Sequence, residues 1–346
     1  MAACALGLAM ISSAVRNTPG LEREVTRQAI YMAAGLVLVV VVSTLDYRLI
    51  VGSSIIWYGL GIASLLVVSI VGARLHGGQR WLEVGAFSLQ PSEFMKLFLI
   101  LALSQYLGNR GTGPWLFRYL LVSALILALP VVLVYSQPDL GTALVLVAVW
   151  GMLVFLAGVR LREVAALLGC VAVALPLVWA NLHGYMRDRV LGFVRPGSDP
   201  EISYVMDQAL ISIGSGAIWG KGYASGSQSQ LHFLRVRHTD FIFSVIGEEL
   251  GFVGAVLTLG LLAFICYRIF RIGQTAPDTC GRLVACGVGT VLAFQTLVNA
   301  GMNTGLLPVT GLPLPFISRG GSALLAQLIG IGLVESVALR RRLPHV

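Results

Sequence analysis

The chain has 346 residues, 57% of them hydrophobic and 12% charged, with 24 Lys and Arg against 16 Asp and Glu for a net charge of +8. Soluble domains carry about 25% charged residues, so the composition excludes an ordinary soluble fold and points to a chain built for lipid. The basic excess does not imply nucleic-acid binding, because it sorts by side of the expected membrane spans.

Apolar stretches near the ~20 residues that cross a bilayer recur along the whole chain. They predict helices over 29–45, 50–72, 91–107, 117–135, 141–159, 164–182, 240–270, 282–305 and 322–339. A shorter run, 2–14, has no preceding Lys or Arg as a signal peptide would. It is read as a span that starts upstream of Met1. The expected fold class is therefore an all-α integral membrane protein of about ten transmembrane helices, one polytopic domain over 1–346. With an even number of helices both termini face the same side. Eleven bases, among them Arg48, Arg160, Arg162, Arg271 and Arg340, fall on that side against Asp46, Glu163 and Asp278. Short basic loops are cytoplasmic, so both termini are expected inside.

Two stretches interrupt the helices. The large loop 183–239, between the seventh and eighth helices, is expected on the extracytoplasmic side. Loops this long are usually functional or disordered, and 204–219 has the apolar content of an interfacial helix (Val205, Leu210, Ile211, Ile213, Ile218). A plain solvated connector is the alternative. The second stretch, 305–321, sets Pro308, Pro313 and Pro315 among apolar residues. Irregular backbone at membrane depth survives only when buried in protein or lining a cavity.

Charged groups inside this apolar chain carry the functional signal. Asp240, Glu248 and Glu249 lie in one apolar run, and each acid costs about 2.5–3.5 kcal/mol to insert. Asp240 follows His238-Thr239 at the expected helix start, where an aspartate either caps orphan N–H groups or acts as a base. Glu248 and Glu249 lie roughly 12 Å further along and are expected to pair with neighbouring helices. Arg80-Trp81 precedes Gln90-Pro91-Ser92-Glu93 and Lys96. Pro91 and Ser92 suit a helix start, and Glu93 and Lys96 are i, i+3 neighbours that form a salt bridge or present a cation to a pyrophosphate. Trp81 suits an interfacial anchor or a ligand platform. Asp139, in Gln137-Pro138-Asp139-Leu140-Gly141, marks another helix start. Gly220-Lys221-Gly222 is not a nucleotide loop, since Ser215 stands in place of the leading glycine and no Ser or Thr follows the lysine. Cysteines 4, 170, 266, 280 and 286 and the five histidines show no metal spacing, so no cofactor is expected from a motif.

Gln90-Pro91-Ser92-Glu93, Gln137-Pro138-Asp139-Leu140-Gly141, His238-Thr239-Asp240-Phe241-Ile242-Phe243, Glu248-Glu249-Leu250-Gly251 and Pro313-Leu314-Pro315-Phe316-Ile317-Ser318 with Gly320-Gly321-Ser322 occur in this order. Together they resemble the RodA/FtsW/SpoVE (SEDS) family over nearly the whole chain, and Gly220-Lys221-Gly222 with Gln228-Ser229-Gln230-Leu231 looks most like RodA. The resemblance implies a peptidoglycan glycosyltransferase of the bacterial cytoplasmic membrane that polymerises lipid II for elongation and shape. It also implies a class B penicillin-binding transpeptidase as partner, and it maps the family's essential aspartate onto Asp240. Arg80, Lys96 and Lys221 then become candidates to stabilise the pyrophosphate, with Trp81, Glu93, Asp139 and His238 as further substrate-binding residues. A divalent cation can travel with the pyrophosphate. Arg319 stands where the family usually has an aromatic residue. The rival classes are a lipid II flippase or proton-coupled carrier, whose key acids belong near mid-membrane, and a non-catalytic scaffold for the transpeptidase.

Overall fold

The computed structural model describes residues 1–16, 21–75, 78–84, 87–109, 117–159, 163, 169, 184–195, 199–231, 233–234 and 238–341. The helices are α1 (Ala2–Val15), α2 (Glu22–Thr44), α3 (Tyr47–Gly52), α4 (Ser54–Val71), α5 (Pro91–Gly108), α6 (Phe117–Ser136), α7 (Leu140–Leu156), α8 (Gly184–Val194), α9 (Pro200–Ser215), α10 (Ser227–Gln230), α11 (Ile242–Gln274), α12 (Thr279–Asn303) and α13 (Gly321–Arg340). Six of these, α2, α4, α6, α11, α12 and α13, contain stretches long and apolar enough to cross a membrane, while α1 and α7 are apolar but shorter. The protein is a multi-pass membrane protein. Each expected span coincides with a helix except 164–182, which lies outside the described residues apart from position 169. A helix, α9, forms over much of 204–219. Asp199 caps it by accepting from the N–H groups of Glu201 and Ile202, and Pro200 occupies its first turn.

The all-α expectation needs one correction. Between α4 and α5 run β1 (Ala73–Leu75), β2 (Gly78–Val84) and β3 (Phe87–Leu89), an antiparallel sheet of order β1-β2-β3. Its register pairs Ala73 with Trp81 and Leu82 with Leu89. This segment is too polar to cross lipid, yet its backbone groups need partners next to the membrane. Strand pairing supplies them where a helix would carry Arg74, Arg80 and Glu83 into the bilayer.

The packing divides the chain into two compact units. The first comprises Met1–Leu38, Asp188–Arg268 and Leu292–Leu328, and the second comprises Val39–Arg187, Ile269–Val291 and Ile329–Val346. The second unit packs α4, α6 and α7 around α5. At one end of it Tyr47, Val51, Leu101, Val284, Leu333 and Val337 form a buried cluster. Polar contacts rim that end: Tyr47 Oη donates to Asp278 Oδ2 at 2.7 Å, Arg48 Nε lies 3.1 Å from the same oxygen, and Arg340 Nε lies 3.3 Å from Asp46. Arg48, Arg340, Asp46 and Asp278, all assigned by the sequence to one side, thus meet at one end. Lipid gives apolar helices no hydrophobic reason to associate, so shape and polar contacts decide their packing. In keeping with this, large apolar side chains such as Ile55, Ile70 and Leu257 remain exposed.

Candidate active site

In the first unit, α11 begins at Ile242, and the Phe241 carbonyl accepts from the N–H groups of Ser244 and Val245 at 3.1 and 3.3 Å. The Ser244 N–H also lies 3.1 Å from Asn303 Oδ1. A side chain from α12 therefore does part of the work that the capping reading gave to Asp240.

The backbone leading into α11 is held at three successive carbonyls. The Arg319 N–H donates to the His238 oxygen at 2.9 Å, Ser318 Oγ to the Thr239 oxygen at 2.7 Å, and Asn299 and Asn303 both to the Asp240 oxygen at 3.0 Å. The proline-rich segment 304–320 supplies two of these donors. It is itself pinned by Asn299 to the Leu312 oxygen, by Ser318 Oγ accepting from the Leu314 N–H, and by Gln327 accepting from the N–H of Phe316. Phe316 is buried at φ 63, a backbone region that bulky residues enter only when their surroundings impose it.

Charged groups gather around this point. A Cβ placed on Gly311 would lie 3.5 Å from Arg189 Nη1 and 3.6 Å from Asp240 Oδ2, so guanidinium and carboxylate face the same glycine. Arg319 Nε pairs with the buried Glu24 at 2.7 Å, and its Nη1 lies 3.4 Å from His238 Nε2. Arg189, Arg319 and Glu24 therefore gather around the segment that carries His238 and Asp240.

Nine residues into α11 the helix breaks. Gly251 has φ 68 and ψ −168, which no other residue type adopts without strain. Segment 217–222 repairs the break. The N–H groups of Lys221 and Gly222 donate to the Glu248 and Glu249 carbonyls at 3.0 Å, and those of Phe252 and Val253 donate to the Ala217 and Ile218 carbonyls at 2.9 and 3.1 Å. Gly220 passes so close to the Glu249 carbonyl that a side chain there would collide with it. The buried acids then fold the following loop. Glu248 accepts from Lys221 Nζ at 3.0 Å and from the N–H groups of Gln228 and Ser229 at 2.8 and 3.1 Å. Glu249 accepts from Ser13 Oγ of α1. The expectation that these acids pair with neighbouring elements holds. Lys221 is placed on Glu248, and any phosphate contact has to share its ammonium with that carboxylate.

The second unit holds Arg80, Trp81, Glu93, Lys96 and Asp139. Lys96 Nζ lies 2.7 Å from Glu93 Oε2, with both side chains almost fully buried, as their i, i+3 spacing predicts. Asp139 caps α7 by accepting from the Thr142 N–H and hydroxyl, and it also meets Gln90 Nε2 at 3.3 Å. Arg80 donates Nε to the Gln137 carbonyl at 2.8 Å and a second nitrogen to the Pro138 carbonyl. Trp81 sits half-buried on β2. Arg80 and Asp139 thus converge on the same turn before α7. Among the described residues no group of three His, Cys, Asp or Glu is arranged to hold a metal ion.

The matches to known proteins agree with this architecture. The model of the FtsW/RodA/SpoVE family, described as "Cell cycle protein", matches residues 1–343. The chain belongs to the FtsW/RodA/SpoVE family. It is 40% identical over 315 residues to the peptidoglycan glycosyltransferase MrdB of Escherichia coli K12, covering 90% of this chain and 85% of that one. It is 36% identical over 326 residues to a probable peptidoglycan glycosyltransferase FtsW of Nitrosomonas europaea, covering 92% and 84%. A chain solved in a peptidoglycan synthase complex that coordinates polymerization and crosslinking superposes with a TM-score of 0.84 at 35% identity, covering 99% and 96%. The crystal structure of the Thermus thermophilus rod shape determining protein RodA gives 0.74 at 34%, covering 99% and 95%.

Some residues of this FtsW/RodA/SpoVE member's candidate site escape sequence reasoning. Asn299 and Asn303 look like polar interruptions of an apolar helix, although their i, i+4 spacing does put them on one face. Arg189 reads as one more loop base. Its approach to Asp240 depends on how α8 packs against segment 309–311.

Proposed function

We propose that Asp240 is the general base with which this peptidoglycan glycosyltransferase extends glycan strands. The observation that carries the reading is the setting of Asp240. It lies just outside the first turn of α11, its main chain is held at three consecutive carbonyls, and Arg189 faces the same glycine as its carboxylate. A carboxylate so placed can take the proton from the 4-hydroxyl of an incoming GlcNAc as that oxygen attacks the anomeric carbon of a lipid-linked donor. The C–O bond to pyrophosphate breaks as the new glycosidic bond forms, and a single displacement inverts the anomeric centre. A nearby guanidinium stabilises charge developing on the leaving group.

In this proposal the substrate is lipid II, and the partner is a crosslinking transpeptidase of the class B penicillin-binding type. Segment 183–239 is extracytoplasmic between the seventh and eighth of ten spans, and both termini are cytoplasmic. Lys96, Arg80 and Lys221 are the cations offered to pyrophosphate, with Trp81, Glu93, Asp139 and His238 as further substrate contacts and a divalent cation arriving with the substrate. The likeness to the rod shape determining protein RodA of Thermus thermophilus supports a role in elongation and shape. The break at Gly251 favours a second reading, because transporters build substrate sites at broken helices.

Polymerisation of labelled lipid II by the purified protein with its partner separates the two. Wild type should make long strands, and Asp240→Asn should lose about 10²–10⁴ in rate while keeping its expression and partner binding. Strands made by Asp240→Asn at the wild-type rate would sink the base assignment. If neither protein makes strands but wild type translocates lipid II, the carrier reading replaces this one.

A further inference from the structure

Residues 238–240 belong to neither a helix nor a strand, so no regular ladder fixes the backbone that carries Asp240. Arg319 and Ser318 hold the His238 and Thr239 carbonyls, and at Asp240 itself the hold comes from two asparagines one turn apart on α12. Asn299 Nδ2 and Asn303 Nδ2 each donate to the Asp240 carbonyl at 3.0 Å, and both residues are fully buried. Asn299 Nδ2 also reaches the Leu312 carbonyl at 2.8 Å. Asn303 uses both ends of its amide: Nδ2 also meets the Asn299 carbonyl at 2.8 Å, and Oδ1 accepts from the N–H and hydroxyl of Ser244 at 3.1 and 2.7 Å. The pair thereby ties together the start of α11, α12 and the proline-rich segment. The Asn303 amide both donates and accepts: it shares the Asp240 carbonyl with Asn299, and it accepts from the Ser244 hydroxyl and from a Ser244 N–H that also lies 3.1 Å from the Phe241 carbonyl. Packing alone would be met by leucines, without the desolvation of two buried amides.

We propose that Asn299 and Asn303 are positioning residues for Asp240. They hold its main chain so that the carboxylate meets the attacking hydroxyl in reactive geometry. The proposal rests on the reading of Asp240 as the base. It is tested by steady-state polymerisation of labelled lipid II by the full-length protein with its partner, for Asn299→Ala, Asn303→Ala, Asn303→Asp and Asp240→Asn. Rates are taken per folded molecule. Asn303→Asp keeps the side-chain shape and the acceptor for Ser244 while replacing the amide donor to Asp240, and counting only folded molecules separates positioning from folding. A misplacement of about 1 Å costs up to about 10²-fold, so kcat should fall about 10–100-fold in each asparagine variant, with KM within about twofold of wild type. A kcat within about threefold of wild type in all three, or a loss confined to KM, overturns the proposal. If Asp240→Asn is inactive while the asparagine variants are normal, only this proposal fails. If Asp240→Asn is fully active, the base reading fails and the positioning role with it.

Discussion

Each unit holds one lysine–carboxylate pair with a buried acid, and the two are built for different ends. Lys96 and Glu93 share one turn of α5, with side chains only 2% and 3% exposed. Lys221 and Glu248 are 27 residues apart; the lysine side chain is 29% exposed and the glutamate is fully buried. The first pair forms whenever α5 forms, so it specifies nothing about tertiary structure while bearing the desolvation of two ions. The second draws the 221–229 loop onto a broken helix, and its carboxylate also serves two backbone N–H groups. A buried pair that breaks even at best against apolar side chains needs a reason to exist. For Glu248 the reason is the loop. For Lys96 and Glu93 the helix offers none, which is why they belong among the candidates for chemistry.

This contrast can be broken at its strong end first. Glu248→Ala strands the Lys221 ammonium and the Gln228 and Ser229 N–H groups, so it should destabilise the protein by about 3–5 kcal/mol. Thermal unfolding in detergent measures this, and a midpoint matching wild type would show that the loop is anchored elsewhere. At the other pair, Glu93→Gln combined with Lys96→Met removes both charges together. Stability should stay level or rise by about 1–4 kcal/mol while polymerisation is lost. A double variant that still polymerises would reduce that pair to architecture.

Gly251→Ala sharpens the account of the break itself. It forces a Cβ into the left-handed region and against the backbone of residues 218–220, so a loss of about 1–3 kcal/mol is expected. An unchanged melting temperature would mean that α11 can straighten without penalty.

The smallest effect is one of pH at the rim of the second unit. Burial alone would raise the Asp278 carboxyl, but the Gly281 N–H, Tyr47 hydroxyl and Arg48 guanidinium together hold it below the usual carboxylate range. A lowered folded pKa means that its contribution to stability is present above the unfolded value of about 3.9 and is lost as pH falls through the folded value. Asp278→Asn should therefore flatten part of the acid limb of stability against pH. An identical acid limb in the variant would remove Asp278 from the account.

Much of this molecule is legible in the sequence because lipid imposes simple rules. Apolar runs near bilayer length announce their helices. Acids inside such runs announce polar work, as at Asp240, Glu248 and Glu249. The Glu93–Lys96 pair follows from spacing on one helix, and Pro91 and Asp139 mark helix starts through local backbone chemistry. Each of these depends on residues close in sequence. Local chemistry does not decide where two solutions satisfy it equally. Asp240 fits a helix cap as well as a base, and the Asn303 acceptor that serves Ser244 comes from 59 residues away.

The sequence by itself determined that this is a membrane protein of helical spans with an aspartate at the start of one of them, since hydropathy and charge cost act residue by residue. Only the tertiary structure decided what surrounds that aspartate. The asparagines of α12, the Ser318 and Arg319 donors and the Gly220–Gly251 crossing are contacts between segments far apart in the chain. Their geometry depends on how buried backbone groups find partners where water is absent.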